Sequence, residues 1–222
     1  FRSVMKDLQY DPVKDFKPIT GFTRSMLGIA VSPSTNIRTV AELAAAAKKA
    51  PKKLDFGSFS AGYRLALEWL AASAGFQFNA IPYKASAQMN TDLMGGQIVA
   101  AIDGMSALAQ QARSGKLRVV AVTGERRHPE FPDIPTVRES GYPDFAIYGW
   151  SALYTRSETP DDITTRLADA MQKALASNAA QDYVKTLGAE LIGGGPSGMR
   201  QFQSDQLQNF RRVADLAGIK PE

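Results

Sequence analysis

A chain of 222 residues with 44% hydrophobic and 22% charged residues has the composition of an ordinary globular protein and enough apolar material for one large or two small domains. With no cysteine and a single histidine, it excludes disulfides, thiolate nucleophiles, cysteine-held metals and paired-histidine sites together. Its net charge of +4, from 26 basic and 22 acidic residues, is scattered rather than gathered into a stripe with interleaved aromatics, which argues against nucleic-acid binding and leaves a mild attraction for anions.

In chain order, short apolar runs alternate with helical patterns. MLGIAVS (26–32) predicts a strand, followed by a helix from Thr39, where Thr39-x-x-Glu42 has the spacing of a capping box. KLDFGS (53–58), NAIPY (79–83) and IVAAID (98–103) predict further strands, with helices beginning near Tyr63, Ser86 and Met105. LRVVAVT (117–123) is a β-branched run suited to the middle of a parallel sheet. The polar stretch behind it is stiffened by Pro129, Pro132 and Pro135, before Thr136 to Glu139 open a short helix that Gly141 closes. AIYGWSALY (146–154) predicts another strand. From there the pattern turns mostly helical, over 160–176, 179–187 and 197–216, with Thr159 capping ahead of Pro160 at the first helical position. The run Gly193-Gly194-Gly195 lacks the lysine of a phosphate-binding loop and is taken as a turn. Repeated βα alternation predicts a parallel sheet flanked by helices. Residues 24–144 are expected to form one α/β lobe, with 1–23 and 145–222 supplying parts of a second. No apolar run approaches twenty residues, so no membrane-spanning helix is expected, and no leader is visible at Phe1.

Several segments together resemble the receptors of tripartite tricarboxylate transporters, the Bug-type periplasmic substrate-binding proteins. They are YDPVKDFKPIT (10–20), TVAELAAAAKKAPKKLDFGS (39–58), IPYKASAQMNTDLMGGQI (81–98), AVTGERRHPEFPDIPTVRESGYPDF (121–145), ETPDDITTRLADAMQKAL (158–175) and LGAELIGGGPSGMRQF (187–202). The resemblance covers nearly the whole chain in one order. It implies a two-lobed, periplasmic-binding-protein-like (type II) α/β fold with parallel-rich sheets, in which one lobe is incomplete because roughly the first third of such a protein is not represented. It further implies a solute-binding protein that captures a small organic carboxylate (a dicarboxylate, tricarboxylate, acidic amino acid or aromatic acid) in an interlobe cleft. Delivery to membrane permease subunits and a periplasmic location follow, with no cofactor, no metal and no catalysis. An incomplete lobe is also expected to promote self-association through exposed apolar surface. The alternative is a ligand-sensing effector domain of a regulatory protein, which shares a similar two-lobed fold.

In parallel sheets, ligands gather where strand carboxyl ends meet helix amino ends. The first such junction is Ser58, Ser60, Ala61, Gly62 and Tyr63, where the family carries a Ser-Gly-x-Gly-Ser/Thr pattern followed by histidine. Hydroxyls and helix-start N–H groups here can donate to a carboxylate, or simply cap a helix and turn the chain. At the second, Lys84 can neutralise a carboxylate or stay solvated, and Ser86 can cap the next helix; alanine at 85 replaces the family's glycine. At the third, Asp103 either selects for an amino or hydroxy acid or pairs internally with Lys84. Trp150 lines the cleft or packs in the core. Trp69 is assigned to the core, and His128, in a polar turn, to the surface. With no nucleophile and base to pair, an enzyme is not expected.

Overall fold

The computed structural model describes residues 8–216 and 218–219. The expectations that touch 1–7, 217 and 220–222 lie outside the described residues. Backbone proximity divides the chain into two units. One comprises Phe1–Ser25, Trp150–Arg212 and Lys220–Glu222, and the other comprises Met26–Gly149 and Val213–Ile219.

The Met26–Gly149 unit is built on β1 (Phe16–Val31, contributing its second half), β2 (Leu54–Ser58), β3 (Phe78–Pro82), β4 (Ala100–Gly104) and β5 (Arg118–Val122). The helices α1 (Val40–Lys49), α2 (Ala61–Ala74), α3 (Ser86–Met94) and α4 (Met105–Arg113) intervene. Strand order is β3-β2-β4-β1-β5; β2 runs parallel to β3 and β4, while β1 is antiparallel to both β4 and β5. LRVVAVT therefore does not sit in the middle of a parallel sheet. Its inner neighbour is antiparallel, and on its outer side it makes a single parallel bridge, Val122 to Thr136.

Register explains how the helices settle. Gly28, Ala30, Ala101, Asp103 and Gly57 share one face, since Ala30 pairs with Ala101, Gly28 with Asp103 and Ala101 with Gly57. These side chains are small, so α3 and α4 approach closely. A Cβ on Gly57 would lie 2.7 Å from Ile98 and 2.9 Å from Met89, and one on Gly28 would lie 2.7 Å from Met105 Sδ. Met89, Leu93, Met105 and Leu108 fill this side together with Val119 and Val122. The opposite face carries Ile29, Phe56 and Ile102, all fully buried. The crossovers β2-α2-β3 and β3-α3-β4 run in opposite directions along the sheet, which places α2 on the face opposite α3 when both are right-handed. As expected, Trp69 of α2 is core, 3% exposed and stacked on Phe145 with ring centroids 4.3 Å apart.

Helix starts follow their sequence signals with two exceptions, apart from the start of α3 at Ser86, which is described with the site. Thr39 Oγ1 accepts from the Glu42 N–H at 3.1 Å, and the Glu42 carboxylate reaches back to the N–H of Arg38 at 2.6 Å. Thr39→Ala is expected to cost about 1 kcal/mol, read as a lower urea midpoint at unchanged slope. Thr136 and Glu139 form the reciprocal pair in full, with Glu139 N–H on Thr136 Oγ1 at 3.0 Å and Thr136 N–H on the Glu139 carboxylate at 2.7 Å. Yet the segment makes only one turn before Gly141, so the short helix expected there is a turn. The other exception is at 159–160: Pro160 is itself the cap residue and the helix begins at Asp161, while the Thr159 N–H closes a turn onto the carbonyl of Arg156 at 3.1 Å.

His128 corrects the sequence-based assignment most sharply. It is 2% exposed, not on the surface. The proline-stiffened turn folds it inward, where Nδ1 accepts from the Glu130 N–H at 3.2 Å and the ring lies 5.5 Å from that of Phe131.

In the other unit, the first half of β1 pairs antiparallel with β7 (Ala189–Gly193), and β6 (Tyr148–Arg156) also pairs with β1. Arg24 and Glu190 are direct cross-strand partners and form an ion pair of 2.7 Å. Three helices complete it: α5 (Asp161–Ala176), α6 (Asn178–Thr186) and α7 (Gly195–Leu216). Lys17 on β1 holds the start of α5 through Asp161 at 2.7 Å and the carbonyl of Thr159 at 2.9 Å. Gly193, Gly194 and Gly195 all take positive φ (60°, 83° and 58°), a left-handed path between β7 and α7 that side chains would strain. Among the described residues no helix is long and apolar enough to cross a membrane.

Candidate functional site

The order β3-β2-β4 reverses direction between β2 and β4, and the carboxyl ends of these three parallel strands open on the same edge. Such a reversal leaves a crevice at the sheet edge where following helices diverge to opposite faces. The structure puts all three predicted junctions of the Met26–Gly149 unit on this edge.

Ser58 ends β2 buried, its carbonyl accepting from Tyr83 N–H at 2.9 Å. Ser60 is the cap of α2, with its side chain accepting from Tyr63 N–H at 3.2 Å. Ala61 opens the helix, and at Gly62 a Cβ would meet nothing within 4 Å, so space adjoins the helix start. Tyr63 turns its ring edge-on to Phe59 at 4.9 Å, with the phenol beside Gly104 and Gly149. A Cβ on Gly149 would come within 3.0 Å of that hydroxyl, which explains glycine there. Burial, with a smaller contribution from the Asp103 charge, pushes the Tyr63 phenol up to about 12, so at neutral pH it is a neutral hydrogen-bond donor.

Asp103, 2% exposed, is the knot that ties the second and third junctions. One carboxylate oxygen accepts a very short hydrogen bond from the Ser86 hydroxyl and another, of 2.9 Å, from the Asn90 amide. Its second oxygen accepts from the Gly104 N–H at 2.7 Å. Burial raises its pKa above the ordinary carboxylate value, and the three donors act against that rise.

Two expectations change as a result. Asp103 makes no ion pair with Lys84: its side chain lies on the sheet face covered by α3, and neutral donors from that helix satisfy it. Nor does Ser86 cap α3, because its hydroxyl is turned to Asp103; Ala85 is the cap residue, with no side-chain hydrogen bond. Ala85 sits at φ −151°, extended backbone that alanine adopts without strain, so the family's glycine is not required. Asn90 escaped the sequence reading although it lies one helical turn beyond Ser86 on the same face, a spacing that could have flagged it.

Both α3 and α4 begin without a side-chain cap, leaving first-turn N–H groups with no intrahelical acceptor. Lys84, two residues before α3, is exposed and forms no ion pair among the described residues. The edge thus presents a cation, a neutral phenol and uncapped amide dipoles, which suit a small anion. Trp150 belongs to the other unit. There it stands edge-on to Phe202 at 5.5 Å and, with Tyr10, Phe16, Tyr154 and Phe210, lines a cavity of about 250 Å³. Among the described residues no group of three or more His, Cys, Asp or Glu is placed to hold a metal ion.

The class of protein this α/β fold belongs to is resolved by comparison with known proteins. The chain belongs to the tripartite tricarboxylate transporter receptor family (TctC), which it matches over residues 2–219. It is 30% identical over 220 residues to the protein BugT of Bordetella pertussis, covering 98% of this chain and 68% of that one. Among solved structures it is similar to the R. palustris protein Rpa4515 with adipate (30% identity, TM-score 0.92, covering 99% of this chain and 74% of that one). It is also similar to the periplasmic binding protein BugD (28%, TM-score 0.91, covering 100% and 75%). The fold is accordingly that of the two-lobed periplasmic binding proteins. The chain spans 68% of the length of BugT and 62% to 65% of the next four curated relatives.

Proposed function

We propose that this protein is a periplasmic solute-binding receptor that holds a small organic carboxylate at the β-to-α junctions of its Met26–Gly149 unit, for delivery to the membrane permease of a tripartite tricarboxylate-type transporter. The observation that carries this reading is the gathering of Lys84, the protonated Tyr63 phenol and the uncapped starts of α3 and α4 on one sheet edge. The relative with adipate supports carboxylate as the ligand chemistry.

The magnitudes are sufficient. A hydrogen bond to a charged group contributes about 1.5–3 kcal/mol net, and a helix amino end roughly 0.3–2. Lys84, Tyr63 and two helix starts together approach the roughly 8 kcal/mol of micromolar binding. Calorimetric titration with adipate, against 1,6-hexanediol as a neutral control of equal length, tests the idea. Binding of the diacid alone is expected, and Lys84→Gln should weaken it by about 10–100-fold. Equal heats from acid and diol, or indifference to Lys84, would rule the site out.

A further inference from the structure

We infer that the outer edge of β6 is an interaction surface for a second copy of this chain, which adds its own β6 antiparallel about a two-fold axis at Ala152. This pairing is independent of the carboxylate site.

Among the described residues four strands lie at a sheet edge, β3, β5, β6 and β7, and each has one strand as its neighbour. Three of them are short and blunted. β3 ends in Pro82, which has no N–H to offer, and β7 carries the charged Glu190. β5 has its outer side partly taken by the bridge to Thr136. β6 differs: it has nine residues, YGWSALYTR, with no proline and no charge before Arg156 at its end. An uncharged edge of that length is a row of N–H and C=O groups on which another strand can build.

Alternation decides which of these groups face outward. β6 runs antiparallel to β1, since Ser157 meets Asp15 at one end and Ser151 meets Thr23 toward the other. The Ser157 N–H donates to the carbonyl of Asp15 at 2.9 Å, so odd-numbered residues of β6 direct their backbone groups at β1, and Trp150, Ala152 and Tyr154 direct theirs outward. Among the described residues, no backbone bond outside the ladder uses these three. The sequence around Ala152 complements itself. Pairing Ala152 with Ala152 of the second copy sets Trp150 opposite Tyr154 in both halves, an aromatic cross-strand pair repeated by symmetry. Arg156 then faces the uncharged Tyr148, so no like charges meet. Trp150 and Tyr154 both line the aromatic cavity, and pairing brings the cavity walls of two copies side by side. An interface one ladder wide gives a weak dimer, with a dissociation constant on the order of micromolar.

The lack of native cysteine makes the register testable. In the Ala152→Cys variant the new sulfurs sit on paired residues with Cα atoms about 5.5 Å apart, within disulfide reach. Mild oxidation should convert it mostly to a covalent dimer, whereas Leu191→Cys, on the exposed side of β7, should stay largely monomeric. Sedimentation equilibrium of the parent chain should show monomer and dimer without larger species. Ala152→Pro removes the outward N–H and leaves the bonds to β1 in place, so it should be monomeric with a parent-like circular dichroism spectrum. Should the proline variant misfold, the two cysteine variants decide. A parent chain that stays monomeric up to about 100 µM, well above the expected dissociation constant, overturns the inference. So do larger oligomers, or cross-linking at position 191 equal to that at 152.

Discussion

Trp69→Ala should lower the stability of the protein by about 3–5 kcal/mol, the range for removing a large aromatic side chain from a packed interior. Trp69 is 3% exposed and stacks on Phe145, itself 1% exposed, so truncation empties a site walled by another fully buried ring. Aromatic stacking adds roughly 0.5–1.5 kcal/mol beyond buried area, and that increment disappears as well. Trp69→Phe keeps a ring against Phe145 and should lose distinctly less. In thermal unfolding followed by circular dichroism, the alanine variant is expected to melt about 10 °C lower, at roughly 2–4 °C per kcal/mol for a chain of this size. A loss below 1 kcal/mol would mean that the α2 face is not packed as described.

Asp103→Ala is expected to cost about 2–3 kcal/mol, because it strips the acceptor from a hydroxyl, an amide and a backbone N–H in one step. The pH dependence separates this carboxylate from the others. Burial raises the folded-state pKa of Asp103 above its unfolded value of 3.8, so between the two values the folded chain binds more protons than the unfolded chain. Its contribution to stability is therefore greatest below the unfolded value, falls as pH rises, and is fully lost above the folded value. Glu139 and Asp161 behave in the opposite sense. Arg127 and Lys17 respectively depress them, so their contributions are present above the unfolded values and disappear as pH falls through the folded ones. Subtracting the urea-midpoint profile of Asp103→Asn from that of the parent isolates the Asp103 component, which should decline with rising pH from about pH 4. A difference that climbs over that interval would show that the hydrogen bonds outweigh burial.

The alternating strands and helices of the Met26–Gly149 unit were legible because each strand is short, apolar and bounded by Gly, Pro or a capping residue. The first half of β1 was not. FKPITGFTRS carries Lys17, Pro18, Thr20, Thr23 and Arg24, and its strand character depends on partners far along the chain, such as Glu190 for Arg24. Sequence reasoning located the three junctions by their position after strands and at helix starts. It did not find the internal wiring. Complementary charge suggested Lys84 for Asp103, whereas strand parity turns Asp103 toward α3, where Ser86 and Asn90 wait. His128 was misplaced for a related reason: polarity and flanking prolines describe a turn, but which side of the turn faces inward is decided by a backbone N–H that needs an acceptor.

The stretch after β5 has a bearing on how copies of this protein meet in a crowded compartment. Val122 donates to the carbonyl of Pro135 and accepts from Val137 N–H, both at 2.9 Å, so the outer flank of that strand is partly occupied by its own chain. Pro132 and Pro135 have no N–H to offer a newcomer, and the Arg127–Glu139 bridge pins the flap from outside at 3.0 Å. The segment thus works as a guard rail: it denies a neighbouring molecule the bare ribbon on which fibrillar stacking could be seeded.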